Sequence, residues 1–500
     1  MTAGRPIWPK IPSGFVRAVL AGHSALGLAF AALIYLVCFS GSVAVLVDEF
    51  HRWERPDVTP VASLTGAEIA RAADEIVAAH GKAEHLFMTL PSPSSPRLSV
   101  YVDKEKGEDP QVLAGAGGRY LGDAGTPWSE FMSRLHINLH LPQTWGIFVV
   151  GLTGVALLSS LISGVLAHPR VFKDAFHLRW GGSKRLQEAD LHNRIGVWGL
   201  PFHIMISLTG AFLGLTTVIV GVLALIVFKG DTEKAYALFL PPEPIDDPRP
   251  APMPDIATAF ANLARSAPGA TPTFVGLEHP GEQGVAILIV ASRPRELARG
   301  ENHTFDRQGQ PLASQDPARG TVGATILQIS NQLHFGWFGG WAVKVAYVIL
   351  GAGVTVVTAS GVAIWLARRR AKGRPAPRWE RIWVATAWSQ PIAYPAAALA
   401  SMLVGASPLS VWGMATVATL LAAIVFPPEA LSRNLRLAGG GLLGLLGTAH
   451  IANWWGRIAD PVAWIVDAAI IFLALAMLVS VTGVRQPRAR ARASAQGAAG

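Results

Sequence analysis

Cysteine is almost missing from these 500 residues: Cys38 is the single one. It excludes an internal disulfide and a thiolate cluster, and inside its apolar run it reads as a small buried side chain. Charge is scarce as well, with 15% Asp, Glu, Lys and Arg against 51% in the hydrophobic set, a balance too apolar for an ordinary soluble domain. A strand followed by a phosphate-cradling loop is also lacking. Gly439-Gly-Gly441 and the Gly351-Ala-Gly353 run sit in apolar helical stretches with no strand before them, so NAD and flavin have no recognisable site. The formal charge of +9 would suggest nucleic acid in a soluble protein. Here Lys and Arg gather beside the ends of apolar segments, as the positive-inside rule requires, and no nucleic-acid partner is needed.

What the chain has in abundance is long apolar runs. Arg17 to Asp48 encloses no charged residue, which is too long for a signal-peptide core and long enough to span about 30 Å of hydrocarbon. Further runs lie at 141–167, 195–228, 335–367, 382–428, 437–456 and 461–484. The run 382–428 is about twice the needed length, and Pro408 divides it. The count is eight helices. Arg5, Lys10 and Arg17, with the basic stretches in 168–194, 368–381, 433–436 and 485–492, then fall on one side. That places both termini in the cytoplasm and residues 48–135 and 229–334 outside; Lys344, inside helix four, departs from the pattern.

The expected fold is an all-α polytopic membrane protein with a four-helix core and two small α+β external modules. Its parts are helix one at 15–47, a module at 48–135, helix two at 136–167, a cytoplasmic loop at 168–191 and helix three at 192–228. A second module at 229–333 and helix four at 334–367 follow. A basic loop at 368–381, four more helices within 382–484 and a tail at 485–500 complete the chain. In each module a helix precedes strands: Thr65 to His80 behind a Thr cap and then Arg97 to Asp103, and Ile256 to Ser266 and then Gly284 to Ala291. Pro-rich stretches join the second module to the membrane.

The helices repeat. His23 precedes Gly27 and Ser40-Gly41 by the same offsets, four and eighteen, at which His192 precedes Gly196 and Thr209-Gly210. Leu135-His136 precedes Gly154 and Ser163-Gly164, as Leu333-His334 precedes Gly351 and Ser360-Gly361, with a Gly-to-Gly offset of ten in both and a His offset that differs by one residue. The first 370 residues therefore read as two copies of helix, module, helix.

Ionisable side chains in membrane spans need partners and point to function. In the eight-helix topology His23 and His192 share one depth and His136 and His334 another. Two imidazoles at one level can sandwich a haem iron inside a bundle, and two levels give two b haems. The repeated glycines suit a flat macrocycle lying against a helix, although Gly also serves helix packing alone. His203, eleven residues after His192, lies on the same helical face about 16 Å further along and is an alternative ligand or relay. His140, one turn after His136, is another alternative. Arg134 and Lys344 are candidate partners for haem propionates, while Arg17 and Arg194 read as interfacial snorkelling residues. Phe335 to Trp341 and Trp145 read as an interfacial aromatic belt, and His168 and His177 as surface residues.

The stretches His23 to Gly41, Leu135-His136-Ile-Asn-Leu139, Asp190 to Gly196 running on to Thr209-Gly210, and Leu333-His334-Phe-Gly336 resemble the PepSY-associated transmembrane helix family, also called iron-regulated membrane proteins. The resemblance covers about residues 15–370 and leaves helices five to eight outside it. It implies PepSY-like external modules, haem ligation by His23, His136, His192 and His334, and membrane reduction of a ferric siderophore on the periplasmic side of the bacterial inner membrane. Electrons would enter from quinol or a cytoplasmic reductase. Two other classes compete: a PepSY-type regulatory or peptidase-binding protein whose helices only anchor its modules, and a transporter with a histidine proton relay.

Overall fold

A computed structural model describes residues 12–104, 109–167, 184–239, 247–293, 297, 300–316 and 320–482. His168, His177 and the basic tail lie outside the described residues. In chain order the first copy of the repeat runs α1 Ser13–Ala29, α2 Ala31–Ala44, α3 Val47–Glu54, α4 Gly66–His80, β1 His85–Thr89, β2 Leu98–Asp103, β3 Gln111–Ala114, β4 Tyr120–Asp123, α5 Pro127–Asn138 and α6 Gln143–Ala167. The second runs α7 Lys184–Trp198, α8 Leu200–Gly214, α9 Thr216–Val227, α10 Thr232–Tyr236, α11 Ile256–Ser266, β5 Thr271–Glu278, β6 Ala286–Ser292, β7 Glu301–Phe305, β8 Pro311–Gln315, α12 Val322–Phe335 and α13 Gly340–Ala371. Four more helices follow: α14 Pro377–Val404, α15 Pro408–Val425, α16 Pro428–Trp454 and α17 Val462–Thr482.

The chain is a multi-pass membrane protein. Among the described residues five helices are long and apolar enough to cross a bilayer, and seven if each bent pair counts as one span. The bent pairs are α1 with α2, at 67°, and α7 with α8, at 68°. Both breaks fall seven residues after a repeated histidine, at Phe30 and Gly199. In the second, Pro201 stands in the first turn of α8, where its missing N–H costs no hydrogen bond. The fifth expected helix, α14, is 28 residues long but is not among these spans; it carries Ser389, Gln390 and two internal prolines.

Expected helices two and four are each interrupted. The first breaks after Asn138, where Leu139 and His140 both adopt left-handed backbone (φ 55° and 54°) and Pro142 cannot donate to a continuing helix. The second breaks at Gly336, a left-handed C-cap with φ 70°. His136 and His334 thus ride on short helices set before the spans.

The external segments differ more from expectation. Each has the helix-then-strands order read from sequence, and Thr65 forms a full capping box with Glu68 on α4. They do not stand apart: the strands form one antiparallel eight-stranded sheet, β4-β3-β2-β1-β5-β6-β7-β8. The seam pairs β1 with β5, Leu86 opposite Leu277 and Met88 opposite Val275. Alternate residues of these strands point to one face, and there Ile69 and Ile76 of α4 join Ile256 and Leu263 of α11 in a single apolar cluster. Separate modules would each leave the β1 or β5 edge unpaired, and fusion removes both edges.

The last four helices dock through a buried polar neck. The Arg52 guanidinium on α3 grips Asp460 bidentately, both bonds 2.8 Å, and Arg97 adds a third at 3.1 Å. Beside it the Trp53 indole donates to Asp467 at 2.8 Å, and His450 bridges Asp467 and the Trp53 carbonyl while stacking on the Trp53 ring at 4.2 Å. Removing one partner of a buried ion pair strands the other charge. Asp460→Ala should therefore cost about 3–5 kcal/mol, read as a lowered melting temperature of the detergent-solubilised protein; an unchanged melt would show the neck to be dispensable.

Candidate functional site: four histidines seated over glycine

The two outer histidines owe their positions to capped helices. On α5, Pro127 opens the helix and the Glu54 carboxylate accepts the N–H groups of Trp128 (3.0 Å) and Ser129 (2.8 Å) together with the Ser129 hydroxyl. These are donors that a helix start leaves without partners. Burial pushes the Glu54 carboxyl up to about 7. On α12 the Thr321 hydroxyl accepts the Ala324 N–H at 3.2 Å, and Tyr347 donates to the Leu333 carbonyl beside His334.

Each of the four repeated histidines lies against a neighbouring helix at a Ser-Gly or Thr-Gly pair. His136 Nδ1 meets Ser40 Oγ at 3.3 Å and the Val37 carbonyl at 3.1 Å. His334 Nδ1 meets Thr209 Oγ1 at 3.0 Å. His23 Nδ1 meets the Ser160 carbonyl at 3.0 Å and Ser163 Oγ at 3.2 Å, and His192 Nδ1 meets Ser360 Oγ at 3.0 Å. The glycine after each hydroxyl residue makes room for the ring. A Cβ would stand 2.6 Å from His136 Cε1 at Gly41, 3.0 Å from His334 Cε1 at Gly210, 3.3 Å from His23 Cε1 at Gly164 and 3.4 Å from His192 Cε1 at Gly361. The sequence reading gave these four glycines to a flat cofactor; they accommodate the imidazoles themselves.

The hydroxyls also decide the tautomer. Each already donates its one proton to a carbonyl of its own helix: Ser40 to Val37, Thr209 to Met205, Ser163 to Ser159 and Ser360 to Val357. A hydroxyl oxygen so engaged can only accept. The proton of each neutral imidazole therefore lies on Nδ1, and the Nε2 lone pair is left to act as a ligand.

The seats are reciprocal within each copy, with His23 of α1 on α6 and His136 of α5 on α2, and then His192 of α7 on α13 and His334 of α12 on α8. Across the copies the histidines meet in pairs. His136 and His334 line a sheet-side cavity of ≈ 450 Å³, their rings 6.2 Å apart between centroids and inclined by 14°. His23 and His192 line a second cavity of ≈ 260 Å³. Gly27 and Gly196 open onto the second, where a Cβ would meet nothing within 4 Å, whereas Gly154 and Gly351 line the first but serve helix packing, a Cβ there standing 2.8 Å from the Ala211 nitrogen and 2.7 Å from Ser42 Oγ. Leu157 lines both cavities, so one side chain stands between them.

The remaining candidates lie elsewhere. His203 does not share a face with His192, because the 68° bend intervenes; it is buried between the levels, with Nε2 at 3.3 Å from the Leu350 carbonyl. His140 lies beyond the end of α5, stacked on Phe131, its Nε2 at 2.8 Å from the Phe131 carbonyl, and so shares no helical face with His136. Arg134 is 64% exposed and faces Glu130 at 3.8 Å. Lys344 is buried in an ion pair with Glu49 at 2.8 Å and Asp48 at 3.0 Å. Neither cation lines either of these two cavities. Arg368, which sequence reasoning missed, lines the one around His23 and His192. Its signal was the Arg368-Arg-Arg370 run at the end of α13, which reads first as a topology marker.

The model of the PepSY-associated TM region family matches residues 20–368, both copies of the repeat. An uncharacterised protein of Pseudomonas aeruginosa is 30% identical over 254 residues, 49% of this chain and 64% of the relative. The chain thus covers less than two thirds of that relative's length.

Glu54 holds its proton more tightly in the folded chain than its ordinary value of 4.5 allows. It therefore favours the folded state below about 4.5 and loses that contribution as pH rises to about 7. Glu54→Gln should be better tolerated at pH 8 than at pH 5, measured as the melting-temperature difference from the unaltered protein; the opposite order would refute the assignment.

Proposed function

We propose that this chain, which belongs to the PepSY-associated TM region family, is an inner-membrane b-type haem protein that moves electrons across the bilayer to reduce a periplasmic ferric compound, a ferric siderophore by its resemblance. The reading rests on the 6.2 Å separation of the His136 and His334 rings. Two metal–imidazole bonds of about 2 Å each, with the distance from each ring centre to its nitrogen, amount to roughly 6 Å. The donor chemistry agrees, since all four histidines are held as Nδ1–H tautomers with Nε2 unprotonated. The cavities are mostly apolar, with a few polar groups placed to orient a ligand.

His136 and His334 would hold one haem, His23 and His192 the other, and bound haem supplies one-electron chemistry. The chain's own part is orientation. The hydroxyl seats fix each ring and its tautomer, Gly27 and Gly196 keep the second slot open, and Leu157 lies where the two levels meet. Arg368 is placed to neutralise a propionate in the second cavity. With eight spans and both termini cytoplasmic, as the charge pattern suggests, the Arg368-Arg-Arg370 end of α13 would lie at the electron-entry side, where quinol or a cytoplasmic reductase would donate, and the sheet would lie outside.

Purified after expression with ample haem, the protein should show a reduced-minus-oxidised b-type spectrum with two haems per chain. Its absence would end the proposal and leave the helices as anchors for the sheet. Replacing any one of His23, His136, His192 or His334 by Ala should remove about one haem of the two. Gly41→Ala should lower haem content in the same direction as His136→Ala, whereas Gly22→Ala, whose Cβ meets nothing within 4 Å, should leave it unchanged.

A further inference from the structure

At the seam of the two external modules a second set of ligand-type side chains converges, far in kind from the buried histidine pairs. Glu84 immediately precedes β1, His85 opens it, and His279 follows the last residue of β5. One ligand atom from each lies within 4.8 Å of the others. The backbones are clamped to one another: His279 N–H donates to the Glu84 carbonyl at 2.7 Å, and Glu84 N–H to the Asp103 carbonyl at 2.8 Å.

Two features separate this cluster from chance crowding of polar groups on a sheet. The first is orientation. His85 Nδ1 lies 2.9 Å from the Asp103 carboxylate, an acceptor that fixes the proton on Nδ1 and leaves Nε2 as the donor atom, the carboxylate–histidine arrangement that supports metal-bound imidazoles. The second is strain. His279 adopts left-handed backbone with φ 50°, a conformation unfavourable for a non-glycine residue, and it is this residue that brings the second module's imidazole to the cluster. Further charge lies around it. Glu278 pairs with His85 across the seam, and Glu282 is 4.0 Å from His279 Nδ1 with its own charge offset by Lys82 at 2.8 Å.

We propose that Glu84, His85 and His279 form a binding site for one divalent first-row transition-metal ion, assembled only when the two modules pair. Two imidazoles and one carboxylate suit zinc, iron, cobalt or nickel and not the oxygen-seeking calcium or magnesium. A tetrahedral ion with bonds of about 2.0–2.1 Å draws the three donors closer than their present spacing and leaves a coordination position open to water or to an incoming ligand. Such an ion would tie β1 to β5 across the seam. The site shares no residue with either cavity, so it stands or falls independently of the haem reading.

The test is calorimetric titration of the full-length, tag-free, chelator-washed protein in detergent with Zn2+, with bound metal counted by elemental analysis. One Zn2+ per chain is expected, unaffected by millimolar Mg2+. His85→Ala and His279→Asn should each weaken binding at least tenfold; Asn tolerates the left-handed backbone, and unchanged far-ultraviolet circular dichroism would show the sheet intact. Asp103→Asn should weaken binding about tenfold through His85 alone. Equal stoichiometry and affinity in the His85→Ala/His279→Asn double variant, or no binding by the unaltered protein below millimolar Zn2+, would overturn the site.

Discussion

The bond from each imidazole Nδ1–H to a hydroxyl on the neighbouring helix is the constraint around which the transmembrane core is arranged. It requires a Ser or Thr whose own proton is already given to its helix, and a glycine beside it so that the ring can approach. A hydrogen bond in a low-dielectric interior is worth more than in water, and a missing one costs correspondingly more. The same pair of residues thus sets helix spacing, ring orientation and tautomer together. Because each copy of the repeat seats its own two histidines reciprocally, the cavities arise where the copies face each other, one imidazole from each.

Above this core the fused sheet acts as a brace. The two copies are joined by helices in the core and by the β1–β5 ladder beyond it, which limits how far one can slide against the other. The strain at His279 sits on that ladder's end. The four C-terminal helices add a third restraint, gripping α3 through Asp460, Asp467 and His450. Since α3 continues from α2, which seats His136, and also carries Glu54, which caps α5, the neck bears on the sheet-side cavity without touching it.

Several expectations failed for one reason. A break in a helix moves every later residue to a different face, and periodicity in sequence does not report breaks. His203 was assigned the face of His192 and His140 that of His136; a 68° bend and two left-handed residues separate them. Lys344 and Arg134 looked available for anionic groups because their partners, Asp48 and Glu49 for the one and Glu130 for the other, lie on another helix or one turn away and are ordinary surface-type residues in sequence. The Ser-Gly and Thr-Gly pairs were visible as repeats, but not what they serve, since each acts on a histidine about 90 to 170 positions away.

Composition and periodicity alone determined the membrane class, the two-copy repeat, the helix-then-strand order of the external segments and the four histidines at matching places, because each is written in local pattern and in spacing along the chain. Which helix each ring leans on, that the two modules share one sheet, and that Arg368 and not Arg134 reaches a cavity were decided by tertiary structure. Those are meetings between residues far apart in the chain, set by close packing and by the need of every buried donor for an acceptor, and no local pattern encodes them.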